Sequence, residues 1–318
     1  MPANIIEHFR SSTVSNANCI VTLECLGGND QKTGRKRTED LCDALMAESP
    51  IEYCDKLGQI EYAQLNNKDQ LIDYMQTLTI QAATANKIPL LFIDAHGSES
   101  GLCFGSQTGI ESFISWPELI DLLGKLNHAC KGELTVICAA CHSYTLIEHL
   151  PNWKRLPFAF YYGYSGEVKT GSLATDTVKA GKSAMLAGLI EIDKTAFSFH
   201  SEFIHYRDYI LAAVVLATHT TVERKLLYKK ACEPDQLSIR AISKNIGREV
   251  ARDGYRTAGL TKGIKSLLDS GALAIVMINQ FMYPTERRDI LMQDILNHVK
   301  RHPKSSYHQE SWENPLVL

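Results

Sequence analysis

Short, continuous apolar runs alternate with amphipathic segments through the first two-thirds of the 318-residue chain, and that alternation restricts the fold more than any other feature. Cys19–Cys25 (CIVTLEC), Pro89–Ile93 (PLLFI), Leu134–Cys138 (LTVIC) and Phe158–Tyr162 (FAFYY) are too short and too uniformly apolar for surface helices. Each reads as a strand buried on both faces, the kind found in parallel sheets. A further strand falls at Ile51–Tyr53 or at Ile60–Tyr62, and the local pattern does not choose between them. Between these runs lie helical patterns. Thr38 is a suitable N-cap, with Glu39 and Asp40 at the positive end of the dipole, and Leu71, Met75, Leu78 and Ala82 recur at helical spacing. Ser115 to Glu118 (SWPE) has the form of a capping box ahead of an apolar face of Leu119, Leu122, Leu123 and Leu126. Parallel strands need crossover connections, so the expected fold is α/β, a three-layer sandwich with a mostly parallel central sheet of about six strands.

Helical patterns follow at Val178–Ile190, at Ser201–Ala217 and through Ile239, Ile242, Ile246 and Val250. A last strand candidate, Ala272–Ile278 (ALAIVMI), precedes a terminal helix carrying Leu291, Ile295 and Val299. With no internal repeat or Gly/Ser linker, the expected layout is an N-terminal extension (1–14), one main domain (15–285) with a helical elaboration over about 195–265, and a C-terminal helix and tail (286–318). Thirty-three basic against 36 acidic side chains leave a net charge of −3, which argues against binding nucleic acid through bulk positive charge. Met1–Arg10 carries Glu7 and no apolar core of a secretory signal, and the longest apolar run, Tyr209–Ala217, has nine residues, too few to span a bilayer. The nine cysteines are odd in number and thinly spread. They read as reduced thiols of a cytoplasmic protein with no membrane or nucleic-acid partner.

Parallel sheets present their functional groups just past the carboxyl ends of strands. Two segments have that form: PLLFIDAHG runs a strand into His96-Gly97, and LTVICAACHS runs another into Cys141-His142-Ser143. If these strands are neighbours, His96 and Cys141 emerge side by side. An imidazole beside a thiol is the minimum for cysteine nucleophilic catalysis, since it favours the thiolate and later protonates the leaving amine. The backbone N–H groups of Gly97 and Cys141 are the candidate oxyanion donors.

At these residues the chain resembles the caspase-like cysteine peptidases of clan CD, which share the caspase-hemoglobinase fold and include caspases, metacaspases, separases and the bacterial CHAT proteases. The family pattern is an apolar strand ending in His-Gly and, about 50 residues later, another ending in Ala-Cys. Here His96 and Cys141 lie 45 residues apart, with Gly97 and Ala140 in the matching places. HGSESGLCFG is similar to the caspase stretch of His-Gly, acidic residues, Gly and a short apolar strand. Arg35, Thr38 and Leu45 follow the Arg-x-x-Thr spacing and following Leu of the caspase first loop and helix, and ALAIVMINQFMYP is similar to the final core strand. The resemblance implies a cysteine endopeptidase working through a His96–Cys141 dyad and a thioester. Such chemistry needs no metal or organic cofactor. The implied partners are a protein substrate and a regulatory sensor or neighbouring effector protein, in bacterial defence or cell death. The different-class alternative is a catalytically silent caspase-like scaffold that binds a partner.

The departures bear on specificity. Ala139 stands where caspases have Gln and metacaspases usually Asp, and His142-Ser143 replaces the caspase Arg-Gly. The resemblance assigns the S1 pocket to Tyr164–Asp176: Lys169 with Arg35 favours an acidic P1 residue, whereas Glu167 or Asp176 favours a basic one. Only 16 residues, His142–Pro157, separate the nucleophile from the next strand, so the enzyme is expected to work uncut. Other chemistries fit less well. Cys138-Ala-Ala-Cys141-His142 matches the c-type haem pattern and a thioredoxin-like pair, but Cys138 continues an apolar strand and reads as core. Structural zinc would need His96 or Cys103 as further ligands, and no second spaced pair exists. Gly181-Lys182-Ser183 lacks the first glycine of a phosphate loop, residue 176 being Asp. The basic run Lys32–Arg37 reads as a solvated loop.

Overall fold

The computed structural model describes residues 14–28, 30–48, 60–105, 112–151, 154–190, 195–218 and 271–302. Its main sheet has six strands, β1 (Cys19–Glu24), β2 (Ile60–Gln64), β3 (Pro89–Asp94), β7 (Thr135–Ala139), β8 (Phe160–Gly163) and β9 (Ser198–Ser201), in the order β2-β1-β3-β7-β8-β9. All neighbours are parallel except β9, which runs antiparallel to β8. A second, antiparallel sheet of β4 (His96–Ser98), β5 (Gly101–Phe104) and β6 (Ser112–Ser115) leaves the main sheet directly after β3. The α/β expectation therefore holds, and the architecture is compatible with a caspase-like fold.

Helices cover both faces. Ile20, Leu90, Phe92 and Ile137 pack with Leu41 and Leu45 of α1 (Thr33–Glu48) and with Leu173, Ala180 and Ala184 of α4 (Thr170–Ala187). Their sequence neighbours Val21, Leu91 and Val136 are as deeply buried on the other face, that of α2 (Lys68–Ala85) and α3 (Trp116–Ala129). At roughly 25 cal/mol per Å² of apolar surface removed from water, this two-sided burial is the main force closing the layers. The expected capping box opens α3: Glu118 accepts from the Ser115 N–H and hydroxyl.

Two compact units divide the chain, Ser12–His205 with Met282–Thr285, and Met1–Ser11 with Tyr206–Phe281 and Glu286–Leu318. The division falls inside α5 (Glu202–Thr218). The second unit contains α6 (Ala272–Phe281) and α7 (Glu286–Arg301), which carries the expected Leu291 and Ile295 in buried positions. Among the described residues, no helix is long and apolar enough to cross a membrane.

Four expectations need correction. The run Ala272–Ile278 is helical, not a final core strand: Ala274, Ile278 and Phe281 are buried at helical spacing, while Val276 is half exposed. The first helix starts at Thr33, not Thr38, so Lys32–Arg37 is mostly its first turn and not a loop. One of its free N-terminal groups is satisfied from a neighbouring strand, the Arg35 N–H donating to Glu24 at 3.0 Å, and the Thr33 side chain is anchored by its hydroxyl donating to Asp94 at 3.0 Å. Thr38 does not cap, and its hydroxyl turns back to the Gly34 carbonyl. Likewise α4 begins at Thr170, shortening the Tyr164–Asp176 loop, and ends at Gly188 in the left-handed conformation (φ 68°). The second strand is Ile60–Gln64; Ile51–Tyr53 and the pattern Ile239–Val250 lie outside the described residues.

Candidate functional site

Strands β3 and β7 are neighbours, paired from Leu90↔Thr135 to Asp94↔Ala139. His96 and Cys141 each stand two residues beyond that last pair, so the sheet register alone brings both to one edge at the same height. The two exits also touch. A Cβ placed on Gly97 would lie 1.8 Å from the Cys141 carbonyl oxygen and 3.0 Å from the Ala140 Cβ. Only a residue without a side chain lets the His96-Gly97 backbone lie this close to the nucleophile strand.

Directly after Cys141 the chain turns sharply. His142 adopts φ 54°, a left-handed conformation that costs a non-glycine residue on the order of 1 kcal/mol, and a short 3₁₀ helix, Ser143–His149, follows. The turn is held by buried Ser143, whose hydroxyl donates to the Cys138 carbonyl (3.0 Å) and accepts the Tyr164 N–H (2.9 Å); Tyr161 donates its hydroxyl to the Ser143 carbonyl (2.7 Å). The loop before α4 closes on the other side. The His142 N–H donates to Gly166 O at 3.1 Å, and the Val168 N–H points to Cys141 Sγ at 3.4 Å, a donor suited to a sulfur carrying negative charge.

Cys141 is half-buried, in contrast to its neighbour in the motif. Cys138 is fully buried, and burial pushes its thiol up to about 12, against weaker lowering by Tyr161 and Ser143. Burial does the same at Cys19 and Cys130, each about 12. These are packing thiols, protonated at neutral pH. Among the described residues, no group of three or more His, Cys, Asp and Glu side chains is placed to hold a metal ion.

His96 is exposed, and its Nε2 lies 2.9 Å from Asp30 Oδ2. Asp30 was not singled out in the sequence. It occupies a tight turn after β1, where its N–H donates to the Gly27 carbonyl and its Oδ2 accepts the Gly27 N–H at 2.7 Å. Burial raises the Asp30 carboxyl more than any other single cause, but the hydrogen bonds from His96 and Gly27 and the charges of His96 and Lys32 together hold it below its ordinary value. Gly27 and Gly105 form the seat: Cβ atoms there would lie 3.1 and 3.2 Å from Asp30 Oδ2, and that of Gly105 only 2.5 Å from the Gly27 nitrogen.

The four proposed specificity residues are dispersed. Arg35 is exposed and pairs with Glu39 one helical turn on, at 3.2 Å. Glu167 and Lys169 are exposed on either side of Val168, and Lys169 is the N-cap of α4. Asp176 is buried on α4, where it accepts the Ala196 N–H at 3.0 Å. The buried arginine of this edge is instead Arg37, forked onto Asp94 at 2.5 and 2.6 Å, bonded through Nε to Thr177 at 2.6 Å, and stacked over Phe92 at 5.0 Å. Both partners are completely buried. This pair ties α1, β3 and α4 together beneath the His96–Cys141 edge.

No protein-family model matches this chain, and no curated protein matches its sequence.

Proposed function

We propose that this protein is a caspase-like cysteine endopeptidase. The observation that carries the reading is the contact between the two strand exits, where Gly97 lies against the Cys141 backbone with His96 beside it. In this reading the Cys141 thiolate attacks the scissile carbonyl, and the tetrahedral oxyanion is met by the Gly97 and Cys141 N–H groups. His96 protonates the departing amine, leaving a thioester on Cys141; it then takes a proton from water, whose attack releases the acid and restores the thiol. The motif resemblance supports a protein substrate, control by a sensor or effector partner, and a role in bacterial defence or cell death. The 3₁₀ helix occupying Ser143–His149 supports an enzyme that works as one uncut chain.

Cleavage of a proteome-derived peptide library by wild type, Cys141→Ala and His96→Ala tests this. The expected outcome is cleavage by wild type alone, with Cys141 labelled by electrophilic peptides. Cleavage that survives Cys141→Ala overturns it. No cleavage together with no labelling leaves the silent scaffold as the better reading.

A further inference from the structure

We infer that Asp30 is a positioning residue for His96, so that the site is a Cys141–His96–Asp30 triad and not a dyad. The inference rests on the peptidase reading for its consequence, though its geometry stands apart from it. A carboxylate only accepts hydrogen bonds, so the 2.9 Å contact assigns the proton of the neutral ring to Nε2. Nδ1 is then the unprotonated nitrogen, the one able to accept a proton from the thiol. When Nδ1 does so, the imidazolium is held against a carboxylate already ionised, which favours the charged form.

Three features make Asp30 a built part of the edge and not a passing surface contact. Its carboxylate is anchored from behind by the Gly27 N–H, in the same turn that fixes its backbone. The seat needs two glycines, Gly27 from the loop after β1 and Gly105 from the loop after β5, joined by the Gly105 N–H to the Cys25 carbonyl at 3.3 Å. And β1 adjoins β3 in the sheet, with Glu24 opposite Asp94, so the loop carrying Asp30 leaves the same edge as His96. The imidazole is more than half exposed, so packing alone does not orient it. A fixed hydrogen bond at Nε2 restricts rotation about both side-chain torsions, and this is the work a third residue does in such sites.

The test uses the full chain with Asp30→Asn and Asp30→Ala. Asp30 Oδ2 takes both the Gly27 N–H and the ring Nε2–H, so an asparagine oxygen in its place keeps both hydrogen bonds and removes only the negative charge beside the ring. Nitrogen-15 NMR of the His96 ring reads the tautomer directly, independent of any activity: the expected state is Nε2–H in wild type and in Asp30→Asn, and a mixture of both tautomers in Asp30→Ala, which has no acceptor for the ring. Alkylation of Cys141 by iodoacetamide, in which the sulfur displaces iodide, is expected to slow about tenfold or more in Asp30→Asn, and library cleavage with it. In a His96→Ala background the Asp30 change should have no further effect on alkylation. A wild-type ring protonated at Nδ1, or an Asp30→Asn variant alkylated at the wild-type rate, overturns the inference. The two failures separate cleanly. Wild type that cleaves nothing while the tautomer and alkylation respond sinks the peptidase reading alone; cleavage abolished by Cys141→Ala but untouched by Asp30→Asn sinks the triad alone.

Discussion

Gly97→Ala is the substitution for which the structure makes the sharpest demand. The added methyl would sit 1.8 Å from the Cys141 carbonyl oxygen and 2.9 Å from its carbonyl carbon, both backbone atoms. Contacts under 3.0 Å are not tolerated, so the two strand exits must part by about an ångström or more. The Cys141 side cannot give easily, because the next residues are held by the His142–Gly166 hydrogen bond and by the buried Ser143 network. The displacement therefore falls on His96 and Gly97. Overpacking of this kind costs about 1–3 kcal/mol of stability. An ångström between reacting groups costs about a hundredfold in rate. Urea denaturation and the rate of Cys141 alkylation, compared with peptide cleavage, read the two effects separately. Gly171→Ala is the control: a Cβ there meets nothing within 4 Å, so stability should be unchanged or slightly higher. If Gly97→Ala melts and alkylates like wild type, the contact between the exits is not as described, and the argument for a shared site falls with it.

Two further outcomes follow from buried charge. Arg37→Met leaves Asp94 fully buried and unpaired, so urea denaturation should show a loss of about 3–5 kcal/mol, much of it recovered when Asp94→Leu is added; a loss under about 1 kcal/mol would mean that the pair is not buried as described. His200, packed edge-on to Phe158 and 3.2 Å from His205, is pushed by burial from 6.5 to about 4, with the His205 charge adding to the shift. Between those values the unfolded chain takes up a proton that the folded chain refuses. Stability therefore falls by up to about 3 kcal/mol as pH drops through that window and is unaffected above it. His200→Gln should flatten this acid limb in denaturation curves at pH 7 and 4.5, and an unchanged slope would count against the burial.

What could be read from the sequence is what local pattern controls. Uniform apolar runs between polar turns identified four core strands to within two residues, and the strand-end rule picked His96 and Cys141 from eleven histidines and nine cysteines. Asp30 and Arg37 were missed for a different reason. Each acquires its role from a strand distant in sequence: Asp30 meets His96 across 66 residues, and Arg37 meets Asp94 across 57. The start of α1 was misplaced by the same physics, since the cap comes from Glu24 on β1 and not from the local Thr38. One cue was present: Asp30 lies in a Gly-Gly-Asn-Asp turn after the first core strand, and strand order places that turn at the functional edge. Ala272–Ile278 failed otherwise, because a seven-residue apolar run contains too little periodicity to separate a buried helix from a buried strand.

The strand order β2-β1-β3-β7-β8-β9 also imposes a schedule on synthesis. The first strand among the described residues, β1, ends between β2 and β3, so one of its edges stays open until the chain has grown seventy residues further, to Asp94. At about 5–20 residues per second that is roughly 4–14 s during which an apolar strand with unpaired backbone groups is exposed on the ribosome. The parts of the candidate site arrive in the order Asp30, His96, Cys141 and Val168. The loop that meets the sulfur is thus the last to emerge, and a nascent chain shorter than this has a thiol but no assembled edge around it. A translational pause placed before Asp94 would prolong the aggregation-prone interval, whereas one placed after Val168 would give the edge time to close.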